Sequence, residues 1–371
     1  GPERNRAFGV FGAVAGAGGA LGLLAGGMLT SWLSWRWVLF VNVPIGVLLA
    51  SLAPLYITES ERQPGRFDLA GAITSTAGMT ALVYGFISAA HDGWTDVTTV
   101  GSFTAAAVLL AAFFSIESRT SQPITPLHMF RDRNRAGSYA IMLSLAAALF
   151  GMFFFLTLFV QDVLGYSPLR AGFSFLPVTA GIIISSQFAA RYLPRIGPKR
   201  LMVAGALLAT TGLVWLTQVS VTSGYVDGIL APMVVFSLGM GLLFVPLTVV
   251  AVAGVPPHEA GAASSLLNVM QQVGGSLGLS ILVTAFGTAS RNEASAQVAQ
   301  FLRTAPPDAQ AQFQQTGQLP APWADQILAH GISTSFQLAV VFAALALAVA
   351  VFVIRPLPKP EPEAAEAAPA G

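Results

Sequence analysis

The sequence contains no cysteine, which excludes disulfides, thiolate metal sites and thiol catalysis. Charge is almost as scarce. Only 9% of the 371 residues are Asp, Glu, Lys or Arg, against about 25% in a soluble domain. The formal net charge is +1, which gives no electrostatic case for nucleic acid. The P-loop, HExxH and GxSxG patterns are missing, so ATP-driven transport and those hydrolase classes have no support. His91, His128, His258 and His330 fall in separate loops and offer no metal-ligand spacing. No metal and no cofactor is expected.

What fills the chain instead is apolar. Hydrophobic residues make up 54% and the mean hydropathy is +0.69. The apolar runs are long and do not alternate every second residue as barrel strands do, so the fold class is all-α, a polytopic helical membrane protein. Windows free of charge and long enough to span are Ala7–Thr30, Trp37–Ile57, Leu69–Ala90, Val97–Ile116, Gly137–Val160, Ala171–Ala190, Leu201–Val219, Gly228–Val252, Ala262–Gly287 and Ser333–Ile354. That makes about ten helices by the length rule.

Cations then orient the chain. With the start cytoplasmic, successive loops alternate sides. Arg4, Arg6, Arg62, Arg66, Arg119, Arg131, Arg133, Arg135, Arg191, Arg195, Lys199, Arg200, Arg355 and Lys359 all fall on the cytoplasmic side. The outside receives only Arg36, Arg170, Arg291 and Arg303. This asymmetry is the positive-inside pattern, and a missed helix would scramble it. The setting is therefore a cell membrane, crossed many times, with start and tail cytoplasmic. Residues 290–329 are rich in Gln, Ala and Pro and read as an external segment, with a short surface helix over Ser295–Arg303. The tail 355–371 is Pro, Glu and Ala and is expected to be disordered.

The first window is laced with glycine, which in water costs about 1 kcal/mol per helical site relative to alanine. In lipid the backbone has nowhere else to bond. Gly18, Gly22 and Gly26 stand four apart and form one smooth strip, which, taken alone, plain tight packing explains better than a functional role. The window 262–287 is also glycine-rich at its centre, with Gly274, Gly275 and Gly278. If the two correspond as fifth helices of repeated bundles, the chain divides into four parts. Residues 1–57 are the last two helices of an N-terminal bundle. Residues 58–135 hold an extra helix pair with cytoplasmic linkers. Residues 136–354 are a six-helix C-terminal bundle with an external loop at 288–332, and 355–371 are the tail. Repeated halves are how many secondary transporters are built. The reading expects four helices before Gly1.

Several stretches resemble a known family. Gly9, Gly18, Gly22, Gly26 and Gly27 resemble the antiporter signature of major facilitator superfamily exporters, with Leu23 where that signature has proline. Trp35-Arg36-Trp37, Phe40, Asn42, Pro44 and Gly46 resemble the fourteen-helix drug:proton antiporter subfamily. So do Phe67-Asp68 with Gly71, and Gln161 with Gly165-Tyr166-Ser167-Pro168, Ala171-Gly172 and Leu176-Pro177. Gly254-Val255-Pro256-Pro257, Gly261, Ala263-Ser264, Asn268, Gln272, Gly274 and Gly278 look like its thirteenth helix and the loop leading into it. The loop 190–200 keeps the family's basic cluster, Arg195, Gly197, Lys199 and Arg200, but has Ala190 and Pro194 in place of its Gly and Asp.

The resemblance implies a proton-coupled multidrug-type exporter, not an enzyme, working by alternating access on small apolar or cationic compounds. Its expected ligands are a small-molecule substrate and protons, in a lipid bilayer and as a monomer. Gly9, Gly18, Gly22, Gly26 and Gly27 would serve gating. Polar and aromatic residues in or near the spans are candidate cavity liners: Asn42, Pro44, Tyr84, Phe154, Gln161, Asn268, Gln271 and Gln272. An unpaired buried amide costs several kcal/mol, so each needs a partner or water, and helix-to-helix hydrogen bonding would account for each singly. Asp68, Asp162, Asp227 and Glu259 all flank helices. Capping explains Asp68 and interface anchoring the others, so the proton-carrying acid is expected upstream. Arg36, between two tryptophans, reads as an interface anchor. Alternative readings are a dedicated exporter of one natural product or metabolite, or a non-transporting membrane scaffold or sensor. An intramembrane enzyme lacks catalytic residues grouped at membrane depth.

Overall fold

The computed structural model describes residues 22, 24–56, 68–120, 123–256 and 259–356. Gly9, Gly18 and the tail beyond Pro356 lie outside the described residues. The helices are α1 (24–32), α2 (Trp35–Phe40), α3 (Asn42–Tyr56), α4 (Leu69–Asp92), α5 (Val97–Glu117), α6 (Arg133–Leu158), α7 (Pro168–Ser174), α8 (Leu176–Ile196), α9 (Pro198–Leu216), α10 (Ala231–Val252), α11 (Ala260–Thr304), α12 (Pro307–Thr316) and α13 (Ala321–Phe352). No strand occurs among the described residues.

Local chemistry sets these boundaries. The side chains of Asp68, Asp96, Asp132 and Ser167 accept from the backbone amides of Gly71, Thr98, Arg135 and Arg170, which caps α4, α5, α6 and α7. The Thr98 amide holds the Asp96 carboxyl below its ordinary range. Proline stands in the first turn of α7 to α10, α12 and α13, where its missing N–H costs nothing. The turn between α8 and α9 is made at Gly197, whose φ of +84° suits glycine. Single π-helical turns, Phe159–Val163 and Tyr225–Leu230, end the α6 span and open the α10 span.

Nine helical segments among the described residues are long and apolar enough to cross a membrane. Each matches one of the windows after the first. The protein is a multi-pass membrane protein. α6 and α8 to α11 with α13 form one bundle around α6, and 67% of the most apolar stretch of α6 is buried. The α4–α5 hairpin packs on that bundle through α11. In contrast, no residue of α3 is buried.

One expectation is corrected. The segment 288–332 is not a loop with an isolated helix at Ser295–Arg303. α11 runs unbroken for 45 residues, about 68 Å at 1.5 Å per residue, roughly twice the hydrocarbon thickness. Its last turns, α12 and the start of α13 fold together beyond the membrane around Phe301, which is 2% exposed and meets Phe313 and Trp323 edge-on. The Gln- and Ala-rich composition conceals this, because a few aromatics carry the packing.

At the end of the bundle where α6 begins, cations cap helix C-termini. Arg133 donates to the carbonyls of Val353 (2.9 Å) and Phe352 (2.6 Å). Lys199 Nζ donates to Val351 O at 2.8 Å. Arg135, only 9% exposed, donates to Ala251 O (3.1 Å) and Ala253 O (3.3 Å). A positive group here meets both orphan carbonyls and the negative end of the helix dipole. Thus Lys199 and its neighbours at this basic end tie α9, α10 and α13 together.

Candidate functional site

α6 is enclosed by α10, α11 and α13, yet one stripe of it stays open. Ala140, Phe150 and Phe154 are exposed along it, and Leu143, Thr157 and Gln161 are half-buried. These positions recur at spacings of three and four, with one step of seven across the buried Ala147, so they share a face. Beside it α11 presents Ser265, Asn268, Gln272 and Ser276, all exposed and again at three and four. Polar side chains at membrane depth face a cavity, water or a partner helix rather than lipid.

Glycine lets the two stripes adjoin. A Cβ at Gly274 would strike the Leu143 carbonyl, and one at Gly278 would strike Ala147. The helices therefore meet backbone to backbone. At Gly275 a Cβ would come 2.9 Å from the Phe150 ring, so that ring lies directly across α11.

Two grooves open on this surface. The first, about 450 Å³, lies between α4 and α11 and is lined by Thr80, Val83, Tyr84 and Ile87 from one side and Gln272 and Ser276 from the other. It brings together two sequence candidates, Tyr84 and Gln272, that are far apart in the chain. The second, about 320 Å³, runs along the end of α6 and holds Phe153, Phe154, Thr157, Gln161 and Asp162. It joins the candidates Phe154 and Gln161 beside an exposed carboxylate. The π-helical turn at Phe159–Val163 sets this stretch off from the regular helix, a feature often found at functional sites.

Other candidates sit apart. Gln271 is half-buried. Asn42 donates to Val38 O and Leu39 O of the preceding turn, at 2.9 and 3.3 Å, and both it and Pro44 are exposed. Gly22 and Gly26 have no described atom within 4 Å of a Cβ position. Gly27 is different: a Cβ there would come 2.9 Å from Pro168 O and 3.0 Å from Leu169 Cα. Nearby, Leu169 N donates to Ser31 Oγ at 3.1 Å. So α1 touches the bundle at the first turn of α7. Arg195 and Arg200 are exposed at the basic end. Arg36 lies over the Trp35 ring at 5.1 Å, within cation–π range.

The Gly165–Pro168 stretch proves to be turn chemistry. Gly165 has φ +65°, Ser167 caps α7 and Pro168 opens it. Arg170 stacks 3.6 Å over Tyr166. Sequence reading passed over Ser265, Ser276, Thr80 and Glu117. The serine stripe was findable from its spacing with Asn268 and Gln272. Thr80 and Glu117 were not, because only the hairpin's packing gives them neighbours.

The sequence profile of the Major Facilitator Superfamily matches residues 1–279. The chain belongs to that superfamily. It is 41% identical over 288 residues to the puromycin resistance protein of Streptomyces alboniger, covering 76% of this chain and 57% of that one. An uncharacterized MFS-type transporter of Mycobacterium tuberculosis is 36% identical, with 76% and 53% covered. The cephamycin export protein of Amycolatopsis lactamdurans is 37% identical, with 78% and 60% covered. The chain spans about half the length of the curated relatives it matches.

Proposed function

We propose that the intact protein is a secondary active exporter of small, mostly apolar or cationic compounds, driven by inward proton flow through alternating access. The basic end of the bundle faces the cytoplasm on this reading, and the protein acts as a monomer. The observation that carries the proposal is the joined stripe of Phe150, Phe154 and Gln161 on α6 with Asn268, Gln272 and Ser276 on α11. It offers rings for apolar contact and amides for orientation, as small-molecule sites require. Gly22, Gly26 and Gly27 are the residues proposed to let α1 move against its neighbours. Two relatives are named for puromycin resistance and for cephamycin export. Those single-compound names favour a second reading, dedicated export of one natural product.

Accumulation of a fluorescent cation in cells, with and without the full-length protein and an uncoupler, tests the first reading. Lower accumulation that the uncoupler abolishes is expected. Equal accumulation across chemically diverse compounds rules out multidrug export, and protection against a single compound establishes the second reading.

A further inference from the structure

The α4–α5 hairpin closes at the basic end with two carboxylates. Asp68 precedes α4 and Glu117 ends α5. Each has one oxygen engaged by the backbone. Asp68 Oδ1 accepts from Gly71 N at 2.8 Å, and Glu117 Oε2 accepts from Thr125 N at 3.2 Å. The other two oxygens, Asp68 Oδ2 and Glu117 Oε1, are buried and have no hydrogen-bond partner. Glu117 as a whole is 3% exposed. Both orphan oxygens converge on one spot. A Cβ at Gly71 would strike Asp68 Oδ2 and lie 3.2 Å from Glu117 Oε1.

Two buried acceptors near one position without a donor are costly, because each has lost its water. If both groups were charged, repulsion in a poorly solvated site would add to that. A neighbouring cation is the usual remedy. The ion pairs seen among the described residues are His128–Glu259 and His330–Glu293, and neither involves this pair. The remaining titratable groups of α4 and its end, Tyr84, His91 and Asp92, lie toward the hairpin's far end, as does Asp96 before α5. Arg291 of α11 also meets α4 at that far end, at Ala90. Arg119, two residues beyond Glu117, is exposed. A divalent cation takes about six or more oxygens, and among the described residues two unpartnered side-chain oxygens are found here.

We propose that Asp68 and Glu117 form a proton-binding site in which one proton is held between Asp68 Oδ2 and Glu117 Oε1 at neutral pH. The proton turns one orphan acceptor into a donor for the other and removes one of the two charges. Gly71 leaves open the space that borders both oxygens. This site is independent of the efflux reading, and it places a titratable group in the hairpin itself.

The test is infrared spectroscopy of the full-length protein in liposomes, following the protonated-carboxyl C=O stretch across a pH titration. One such band is expected at neutral pH, and it should be lost in both Glu117→Gln and Asp68→Asn. In either variant the new amide supplies the donor, so the remaining acid no longer needs the proton. Asn caps helices about as well as Asp, so Asp68→Asn keeps the start of α4. Should both variants fail to fold, Gly71→Ala decides: its Cβ would strike Asp68 Oδ2, so the band of this pair should shift or vanish, whereas that of an acid elsewhere in the full-length protein should not move. A band moved by Gly71→Ala and, in the unmodified protein, indifferent to added sodium, potassium, magnesium or calcium upholds the site. No band at neutral pH, a band unchanged in both variants, or a band abolished by one of those salts overturns it.

Discussion

The Phe150 ring lies across Gly275, where a Cβ would come 2.9 Å from it. This contact differs in kind from those at Gly274 and Gly278, where backbone and Cβ atoms of α6 block any side chain. Phe150 is 39% exposed, so its ring has somewhere to go. Gly275→Ala is therefore expected to leave thermal stability nearly unchanged and to push the ring into the open stripe and, on the efflux reading, to alter which compounds are exported. Gly278→Leu forces the helices apart, and overpacking of that kind costs about 1–3 kcal/mol or more. Thermal unfolding in detergent, set beside efflux of several compounds, separates the two effects.

The basic end makes a second prediction. Arg135 alone serves Ala251 O and Ala253 O from a nearly buried position. Arg135→Ala leaves those carbonyls without the guanidinium, and each charged hydrogen bond is worth about 1.5–3 kcal/mol. Arg135→Lys keeps the charge but loses the planar fork, so it should recover only part of the loss. Lys199→Ala removes a single bond, to Val351 O, and should cost less than either. Melting temperatures in one detergent give the order directly: wild type, Lys199→Ala, Arg135→Lys, Arg135→Ala.

The spans were legible because charge and apolar length are properties of single windows. Nine windows are helices among the described residues, and Lys199, Arg133 and Arg135 gather at one end of the bundle. What was not legible depends on contact. Tyr84 and Gln272 share a groove only because the hairpin docks on α11. Glu117 drew no notice as one acid at a helix end, and only the packing shows its orphan oxygen near that of Asp68. The aromatic nest of Phe301, Phe313 and Trp323 was hidden in a segment whose average composition reads as loop.

That groove carries a third prediction. Tyr84 is 53% exposed and Gln272 is exposed, so substitutions there should move stability by only about 0.5 kcal/mol. Tyr84→Phe and Gln272→Ala should instead change the relative efflux of different compounds. Resistance profiles across a compound panel, at matched protein levels, check this. A uniform loss for every compound would place both residues outside the binding surface.

The glycines of α1 give the last prediction. Gly22 and Gly26 meet no described atom, whereas Gly27 lies against the backbone of Pro168 and Leu169. A leucine at position 27 cannot be accommodated by a rotamer change, because backbone atoms are what it meets. Gly27→Leu should therefore break the α1–α7 contact, including the Ser31–Leu169 hydrogen bond. Gly22→Leu and Gly26→Leu should insert and fold normally, and on the efflux reading they should abolish transport by roughening the strip on which α1 moves. Because the chain has no cysteine, Ser31→Cys and Leu169→Cys introduced together report the contact by cross-linking. Cross-linking is expected to survive the changes at 22 and 26 and to fail with the change at 27. Retained transport in Gly22→Leu and Gly26→Leu would remove the gating role from those two glycines while leaving the packing role of Gly27 intact.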